Sequence, residues 1–307
     1  MGKLLEEKVV LVTGGGRGVG RDIALLAGKS GARVMVNDMG TSIGGEGEDA
    51  SVAEEVANEI RAGGGQAASC SASVTDRKAV NAMMQQCYDE LGGLNHVVNN
   101  AGILRDRMFH RMSDVEWDAV IDVHLNGAFN VSRAAAPFFK EQGFGSFLHM
   151  ASTSGLVGNL GQANYAAAKM GIVGLSRSIS IDMARSNVRS NCLAPFAFSR
   201  MTNTIGDTDA ASPENAAYLE KIKKMGAEKV APLVIALGSD GAADITGQIF
   251  AVRGNEIFLM SQPRPIRSVH NAAGWTPETV LEHAVPAMQS DFYGPDTSRD
   301  VFCWDPI

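Results

Sequence analysis

The stretch Thr13-Gly14-Gly15-Gly16-Arg17-Gly18-Val19-Gly20 lies between an apolar run, Val9-Val10-Leu11-Val12, and a helical pattern that extends to about Gly28. A short run of β-branched, apolar residues predicts a buried strand. Glycines at a strand-to-helix junction let the backbone approach a pyrophosphate, and the helix N-terminus adds N–H donors and a partial positive charge. We therefore interpret the stretch as a dinucleotide-binding loop, with a plain turn as the alternative. The predicted cofactor contacts in it are Gly14, Arg17, Gly18, Val19 and Gly20.

Asp38 directly follows the next predicted strand, Arg33 to Asn37. A carboxylate at this position can accept hydrogen bonds from both ribose hydroxyls of NAD and would repel the 2′-phosphate of NADP. The alternatives are a surface or capping aspartate, and in principle Arg17 and Arg33 could favour NADP. Because Asp38 holds the more decisive position, we predict NAD.

Strands and helices keep alternating along the chain. Predicted strands cover about residues 67–70, 96–98, 146–150, 188–193 and 248–252. Predicted helices cover about residues 51–62, 76–91, 113–140, 162–185 and 230–237. Such alternation is typical of a parallel sheet with helices on both faces. We predict an α/β fold, a single Rossmann-type doubly wound parallel sheet in residues 1–252.

Two segments depart from this alternation. Residues 202–226 have the composition of a variable lid over a substrate. Residues 253–307 form a C-terminal extension. Within it, Thr276-Pro277-Glu278 predicts the start of a helix that extends to about Ala284. We expect this extension to pack on the domain or on a neighbouring subunit.

Composition restricts the possible partners. The chain has 307 residues and a formal net charge of -7, which argues against nucleic-acid binding. Its cysteines are far apart and form no CxxC pair, so we expect no metal site and reduced thiols: Cys70, Cys87, Cys192 and Cys303. We find no signal peptide, no apolar run of membrane-spanning length and no peroxisomal address at the end. The expectation is a cytoplasmic protein without membrane contact.

Tyr165 and Lys169 lie four residues apart in a predicted helix and therefore share one face. A free tyrosine has a pKa of about 10. A neighbouring ammonium and the positive nicotinamide favour the phenolate, which makes Tyr165 a usable proton acceptor and donor. Ser152 follows a predicted strand and could donate to a substrate oxygen, but the neighbouring Thr153 and Ser154 have the same chemistry.

Together these residues resemble the short-chain dehydrogenase/reductase family. The glycine loop matches T-G-x3-G-x-G, Asn99-Asn100-Ala101-Gly102 matches N-N-A-G, and Ser152, Tyr165 and Lys169 match S…Y-x3-K. The resemblance implies an NAD-dependent oxidoreductase that interconverts a secondary alcohol and a ketone. It places Asn100, Ala101 and Gly102 beside the cofactor and assigns Lys169 to the nicotinamide ribose as well as to Tyr165.

A closer resemblance is to the (3R)-hydroxyacyl-CoA dehydrogenase group of the peroxisomal multifunctional enzymes type 2, also described as type 4 17-beta-hydroxysteroid dehydrogenases. It rests on Ile103-Leu104-Arg105-Asp106-Arg107, Val123-His124-Leu125 and the run from Gly158 to Tyr165. This resemblance implies an acyl-CoA or steroid-like substrate and a homodimer or homotetramer. In such oligomers the helices predicted at 113–140 and 162–185 pair between subunits.

Three positions depart from the common family pattern. His124 stands where most members have the asparagine that positions the lysine through a water, and the hydroxyacyl-CoA group shares this histidine. It could relay a proton or pack structurally. Pro195-Phe196 replaces Pro-Gly beside the nicotinamide, where Ser199 stands for a carboxamide-contacting threonine. Ser73, before Val74, replaces an aspartate in the adenine loop, and its hydroxyl could still serve adenine.

Three functions remain open from the sequence. The first is a hydroxyacyl-CoA dehydrogenase, in which Arg105, Arg107, Arg111 and Arg200 could hold the CoA phosphates, although solvated surface arginines are the favoured interpretation. The second is a dehydrogenase of free hydroxysteroids or other secondary alcohols, which apolar residues around Phe196, Phe198 and Met201 fit equally well. The third is an NAD-binding regulatory protein without catalysis.

Overall fold

The computed structural model of the chain describes residues 3–197 and 225–307. Strands in these residues form one eight-stranded sheet in the order β3-β2-β1-β4-β5-β6-β7-β8. The strands are β1 (Val9–Thr13), β2 (Arg33–Asn37), β3 (Gln66–Cys70), β4 (His96–Asn99), β5 (Gly145–Met150), β6 (Val188–Phe196), β7 (Ile249–Arg253) and β8 (Glu256–Leu259). The predicted lid at 202–226 lies almost wholly outside the described residues.

The sheet is parallel from β3 through β7, which confirms the predicted doubly wound fold. The edge strand β8, which lies beyond the predicted domain boundary at Val252, pairs antiparallel with β7. Only Gly254 and Asn255 connect the two strands, and Gly254 has a φ of +61°. A two-residue hairpin turn needs positive φ, so glycine fits this position.

Helices cover both faces of the sheet. The longer ones are α1 (Gly18–Lys29), α2 (Ser51–Ala62), α3 (Arg77–Leu91), α4 (Asp114–Ile121), α5 (Gly127–Gln142), α7 (Ala163–Asp182) and α8 (Ala231–Gly238). Shorter ones are α6 (Thr153–Leu156), α9 (Pro277–Thr279), α10 (Val285–Met288) and α11 (Ser298–Val301). One face packs against α1, α2 and α8, and the other against α3, α5 and α7. No helix in the described ranges is long and apolar enough to cross a membrane.

The strand β1 shows why the sheet is buried on both faces. Val10 and Val12 belong to the core under α1 and α2, whereas Val9 and Leu11 belong to the core under α3 and α5. All four side chains are fully buried. Burying a valine or leucine contributes about 1.5–3 kcal/mol relative to exposure, so an apolar run without alternation is stable only between two helical layers.

The predicted helix 113–140 is two α-helices joined by a π-helical turn. Ser113 accepts a hydrogen bond from the Glu116 N–H while the Glu116 side chain accepts one from the Ser113 N–H, which forms a capping box. The π-helical turn, Asp122–Asn126, connects α4 to α5 and contains His124. A π turn inserts one extra residue, so it changes which residues of α5 face the core.

The last residues of the C-terminal segment pack back onto the sheet domain. Most residues between 261 and 297 are exposed, but Ser298 donates through its N–H (3.0 Å) and hydroxyl (3.2 Å) to the Gly158 carbonyl. Phe302 is buried with its ring 4.7 Å from that of Phe196 and 5.4 Å from that of Phe258. The sheet itself continues through Leu259, past the predicted boundary at Val252.

Candidate active site

The site lies where the strand order reverses, between β1 and β4. In a doubly wound sheet the loops at the carboxyl ends of the two strands separate there and leave a crevice for a ligand. The Asn100 side chain donates to the carbonyls of Thr13 (3.0 Å) and Gly14 (2.9 Å). The Thr13 hydroxyl accepts from the N–H groups of Asn100 (3.0 Å) and Ala101 (3.1 Å). These bonds hold the two loops together.

The glycine loop has no room for side chains. A Cβ on Gly14 would lie 2.8 Å from the Ala101 Cα, and one on Gly20 would lie 2.0 Å from the Gly14 carbonyl oxygen. Arg17 precedes α1 but its side chain does not cap the helix. The N–H groups of the first helical turn, from Gly18 through Gly20, therefore remain available to an anion. A close backbone with uncapped donors fits the pyrophosphate of a dinucleotide.

Asp38 sits beside the glycine loop. One carboxylate oxygen accepts from the Gly16 N–H (2.9 Å) and the other from the Gly40 N–H (2.7 Å). A carboxylate has about four lone-pair positions, so both oxygens can accept a further hydrogen bond. The Arg17 guanidinium donates to the Thr41 carbonyl (3.3 Å). The structure thus fixes the Asp38 carboxylate beside the glycine loop, and its contact with the adenosine ribose stays a prediction.

Ser73 and Val74 have different surroundings. The Val74 side chain is buried, and its carbonyl accepts from the Asn130 amide (3.0 Å). The Ser73 hydroxyl lies 2.8 Å from the Thr75 hydroxyl, so it already has one hydrogen-bond partner. The adenine contact of Ser73 stays a prediction.

Ser152, Tyr165 and Lys169 converge at the carboxyl end of β5. Ser152 is the N-cap of α6, two residues after the strand, while Tyr165 and Lys169 lie in the first turns of α7. The Lys169 ammonium donates to the Met150 carbonyl (2.5 Å) and lies 5.5 Å from the Tyr165 ring centroid. The Ser152 hydroxyl lies close enough to Tyr165 to lower its pKa.

Burial dominates the titration of both helix residues. It raises the pKa of Tyr165 to about 12, against the opposing effect of the Ser152 hydroxyl, and the charge of Asp106 raises it further. Burial also lowers the pKa of Lys169 to about 7. The expected lowering of the Tyr165 pKa by Lys169 therefore stays a prediction for the cofactor complex, where the nicotinamide charge adds to that of the ammonium.

His124 packs directly behind Tyr165. Its ring meets the Tyr165 ring edge to face at 5.1 Å, and its Nε2 lies 2.8 Å from the Ile103 carbonyl oxygen. Gly102 must be glycine because a Cβ would lie 2.2 Å from His124 Cε1. Burial, followed by the charge of Lys169, lowers the pKa of His124 to about 3. The imidazole is therefore neutral at physiological pH.

His124 also faces a small internal cavity. Among the described atoms its Nδ1 has no hydrogen-bond partner, and neither has the amide oxygen of Asn99. Both residues line a cavity of about 10 Å³ together with Lys169 and Val74. This volume is close to the minimum for one water molecule. The geometry brings the histidine near the lysine, as the sequence predicted, and its proton-relay role stays a prediction.

One predicted nicotinamide contact, Pro195, lies near the end of β6. Pro195 pairs with Val252 of β7, and the following Phe196 packs on Phe302 of the C-terminal segment. Ser199 lies outside the described residues, as do Phe198, Arg200 and Met201.

Two of the arginines proposed for CoA phosphates, Arg105 and Arg107, are engaged with the protein. Arg105 donates to the Gly44 carbonyl (2.9 Å), and Arg107 forms an ion pair with Glu116 (3.1 Å). Arg111 is exposed on a short 3-10 turn. Asp106 and Gln162 were not predicted as site residues, yet their side chains are hydrogen-bonded at 2.7 Å close to Ser152 and Tyr165. The available signal was an amide side chain three residues before the tyrosine.

Residues 8–210 match the family model described as short chain dehydrogenase. The chain belongs to the short chain dehydrogenase family. This membership confirms the resemblance inferred from the glycine loop and the S…Y-x3-K set, and it makes the chain an oxidoreductase that acts on CH–OH groups. Members of this family with a Rossmann-type fold usually bind a nicotinamide dinucleotide.

Relatives in the same family include proteins with more specific names. The chain is 41% identical over 278 residues to peroxisomal multifunctional enzyme type 2 of Mus musculus, covering 90% of this chain but only 36% of that enzyme. It is 38% identical over 283 residues to hydroxyacyl-CoA dehydrogenase ChsB1 of Mycobacterium tuberculosis, covering 89% and 86% of the two chains. A crystal structure of a short chain dehydrogenase from Mycobacterium avium superposes with a TM-score of 0.83 at 36% identity, covering 96% and 98%.

Proposed function

We propose that this chain is an NAD-dependent (3R)-hydroxyacyl-CoA dehydrogenase that interconverts a 3-hydroxyacyl-CoA and the 3-ketoacyl-CoA. The observation that carries the proposal is the convergence of Ser152, Tyr165 and Lys169 at the end of β5, beside the glycine loop. The substrate class is supported by the relatives named hydroxyacyl-CoA dehydrogenase and peroxisomal multifunctional enzyme type 2. The chain spans about a third of the multifunctional enzyme's length, so only the dehydrogenase part of that activity is proposed.

The proposed roles follow from the geometry. In the oxidative direction Tyr165 takes the proton of the substrate hydroxyl, and Ser152 donates a hydrogen bond to the same oxygen. When bound, the nicotinamide ring supplies the acceptor for the hydride. Lys169 stabilises the Tyr165 phenolate and holds the nicotinamide ribose, with its ammonium oriented by the Met150 carbonyl. His124 packs against the Tyr165 ring and lines the internal cavity together with Lys169.

Preference for NAD is part of this proposal and rests on Asp38. Its two oxygens are fixed by Gly16 and Gly40, so the carboxylate cannot swing away from a 2′-phosphate. We also propose Gly102 and Pro195 as borders of the nicotinamide pocket.

A homodimer or homotetramer is a further part of the proposal. Helices α4 and α7 expose large apolar side chains, among them Val115 (67%) and Ile181 (66%). Exposed apolar side chains on neighbouring helices support pairing with a second copy. Sedimentation of the purified protein would test this arrangement. A cytoplasmic location stays a prediction.

Purified protein and NADH should be tested against acetoacetyl-CoA, a long-chain 3-ketoacyl-CoA and a free 17-ketosteroid at equal concentrations. We expect a thioester to be reduced at least about tenfold faster than the steroid, corresponding to about 1.4 kcal/mol of transition-state discrimination. NADPH in place of NADH should give slower turnover.

Each alternative predicts a different result. Reduction of the free steroid alone would favour the hydroxysteroid dehydrogenase, which the apolar contact of Phe196 with Phe302 fits. Binding of NADH without reduction of any of the three ketones would contradict the proposed substrate class. A regulatory, non-catalytic protein would in addition fail to oxidise or reduce any secondary alcohol or ketone in a wider panel.

A further inference from the structure

Four polar side chains, beginning with Ser152, form a chain of hydrogen bonds. The Ser152 hydroxyl donates to that of Ser154 (3.1 Å), and Ser154 donates to the Gln162 carbonyl oxygen Oε1 (2.8 Å). The Gln162 amide Nε2 donates to the Asp106 carboxylate (2.7 Å). Ser154 and Gln162 are buried, so water does not compete for these bonds.

The backbone holds both ends of this chain in place. The segment around Arg107 pairs with Gln162 as an isolated parallel bridge, and the Arg107 N–H donates to the Gly161 carbonyl (2.8 Å). The Asn164 side chain donates to the Arg105 carbonyl (3.0 Å). Asp106 therefore stands between two anchored residues, opposite the first turn of α7.

The direction of each hydrogen bond is set by Asp106. An ionised carboxylate only accepts, so the NH₂ group of Gln162 must face it and the amide oxygen must face Ser154. The Ser154 proton is then committed to Gln162. One lone pair of Ser154 accepts from the Asn159 amide (2.8 Å), and the other accepts from Ser152.

The direction of these hydrogen bonds distinguishes Ser152 from Ser154, two of the hydroxyls that the sequence left open as donors to a substrate oxygen. Ser154 has no proton to give to a substrate oxygen, because its proton points at Gln162. The Ser152 oxygen accepts from the Ser154 N–H (3.1 Å), and its hydroxyl proton can rotate from Ser154 to a substrate oxygen. We propose that Asp106 is a positioning residue, which acts through Gln162 and Ser154 to keep Ser152 as the hydrogen-bond donor of the site.

The inference rests on the proposed dehydrogenase chemistry but needs no particular substrate. Any ketone of the panel that the wild-type protein reduces can be used, so failure of the thioester preference leaves this test intact. Asp106→Ala removes the acceptor. Asp106→Asn keeps one acceptor oxygen but adds a competing donor. Asp244→Asn, at an exposed position outside the site, is the matched control for loss of one negative charge.

The first measurement is a double-mutant cycle with Ser152→Ala. We expect Asp106→Ala to lower kcat about tenfold, because the net contribution of one hydrogen bond corresponds to about that factor in rate. Asp106→Asn should lower kcat less. In the Ser152→Ala background neither change should lower kcat further, because Asp106 then has no donor to position. An equal loss in both backgrounds would overturn the proposal. Unchanged NADH affinity of each variant establishes that it is folded.

The second measurement is the pH profile of alcohol oxidation. The groups that face Tyr165 are Asp106, Ser152, His124 and Lys169, and the negative charge of Asp106 raises the Tyr165 pKa. Removing that charge should move the acid limb of kcat/KM to lower pH in both Asp106 variants and not in Asp244→Asn. A lower rate with an unmoved limb would indicate a merely structural role and contradict the placement of Asp106.

Discussion

At the scale of single residues, burial acts on the two helix residues of the site in opposite directions, raising the pKa of Tyr165 to about 12 and lowering that of Lys169 to about 7. The interval of four between Tyr165 and Lys169 predicted a shared helix face, and the structure places both side chains at the same site. Spacing could not show that burial raises the pKa of one group and lowers that of the other. Desolvation depends on residues distant in sequence, such as Met150 and His124, which only the fold brings together.

Replacement of Tyr165 by phenylalanine removes the proposed proton acceptor with little change of shape. We expect Tyr165→Phe to lower kcat by about 10²–10⁴-fold, the usual contribution of a general acid or base. The affinity for NADH, measured by fluorescence titration, should stay the same. Tyr293→Phe is the matched control, since Tyr293 is 89% exposed. Substantial turnover by Tyr165→Phe would contradict the assigned role.

At the scale of elements, regular periodicity was predictable and its interruptions were not. The bounds of α2 agree with the sequence pattern to the residue. The π turn Asp122–Asn126 escaped prediction because a single inserted residue leaves the apolar pattern on either side intact. The strand β8 escaped because four residues at an edge, half of them exposed, give a weak alternation signal.

The junction of β1 and α1 offers a test of the glycine loop. A Cβ on Gly20 would lie 2.0 Å from the Gly14 carbonyl oxygen and 2.5 Å from the Asn100 amide, so Gly20→Ala must displace the loop. We expect weaker NADH binding and a loss of about 1–3 kcal/mol in the free energy of unfolding. In the control Gly241→Ala the nearest atom is 3.5 Å away, so neither quantity should change. Equal behaviour of the two variants would refute a tightly packed loop.

At the scale of the whole molecule, the sequence predicted the doubly wound topology and therefore the location of the crevice. Alternating strands and helices, with a glycine loop after the first strand, leave few other arrangements. The sequence could not reveal how the C-terminal segment reaches Gly158 and Phe196, because contacts between residues more than about 100 positions apart leave no periodic trace. The buried polar pairs of the sheet, such as His149 with Asn99, were equally hidden.

Three buried histidines make the stability of the whole fold depend on pH. Burial lowers the pKa of His96, His124 and His149 to about 3 each, whereas the pKa of a histidine in the unfolded chain is about 6.5. Below about pH 6.5 the unfolded chain takes up protons that the native protein does not. The free energy of unfolding therefore falls as the pH decreases from about 6.5 towards 3.

Replacement of one of these histidines should make the pH dependence shallower. His149→Met removes up to one proton taken up on unfolding, so its Tm should decline less steeply than that of the wild-type protein between pH 6.5 and 5. The comparison uses slopes, so a change in absolute stability does not affect it. His270→Met, at an exposed position, should follow the wild-type slope. Parallel curves for all three proteins would rule out His149 as a source of the effect.

The contacts of Ser298 and Phe302 also bear on the order in which the protein is completed during synthesis. Every residue proposed for catalysis has left the ribosome once Lys169 has emerged. Gly158 and Phe196, however, receive their partners only when residues 298–302 follow. A nascent chain stalled before that point can carry the whole catalytic set while the wall of its site remains unfinished.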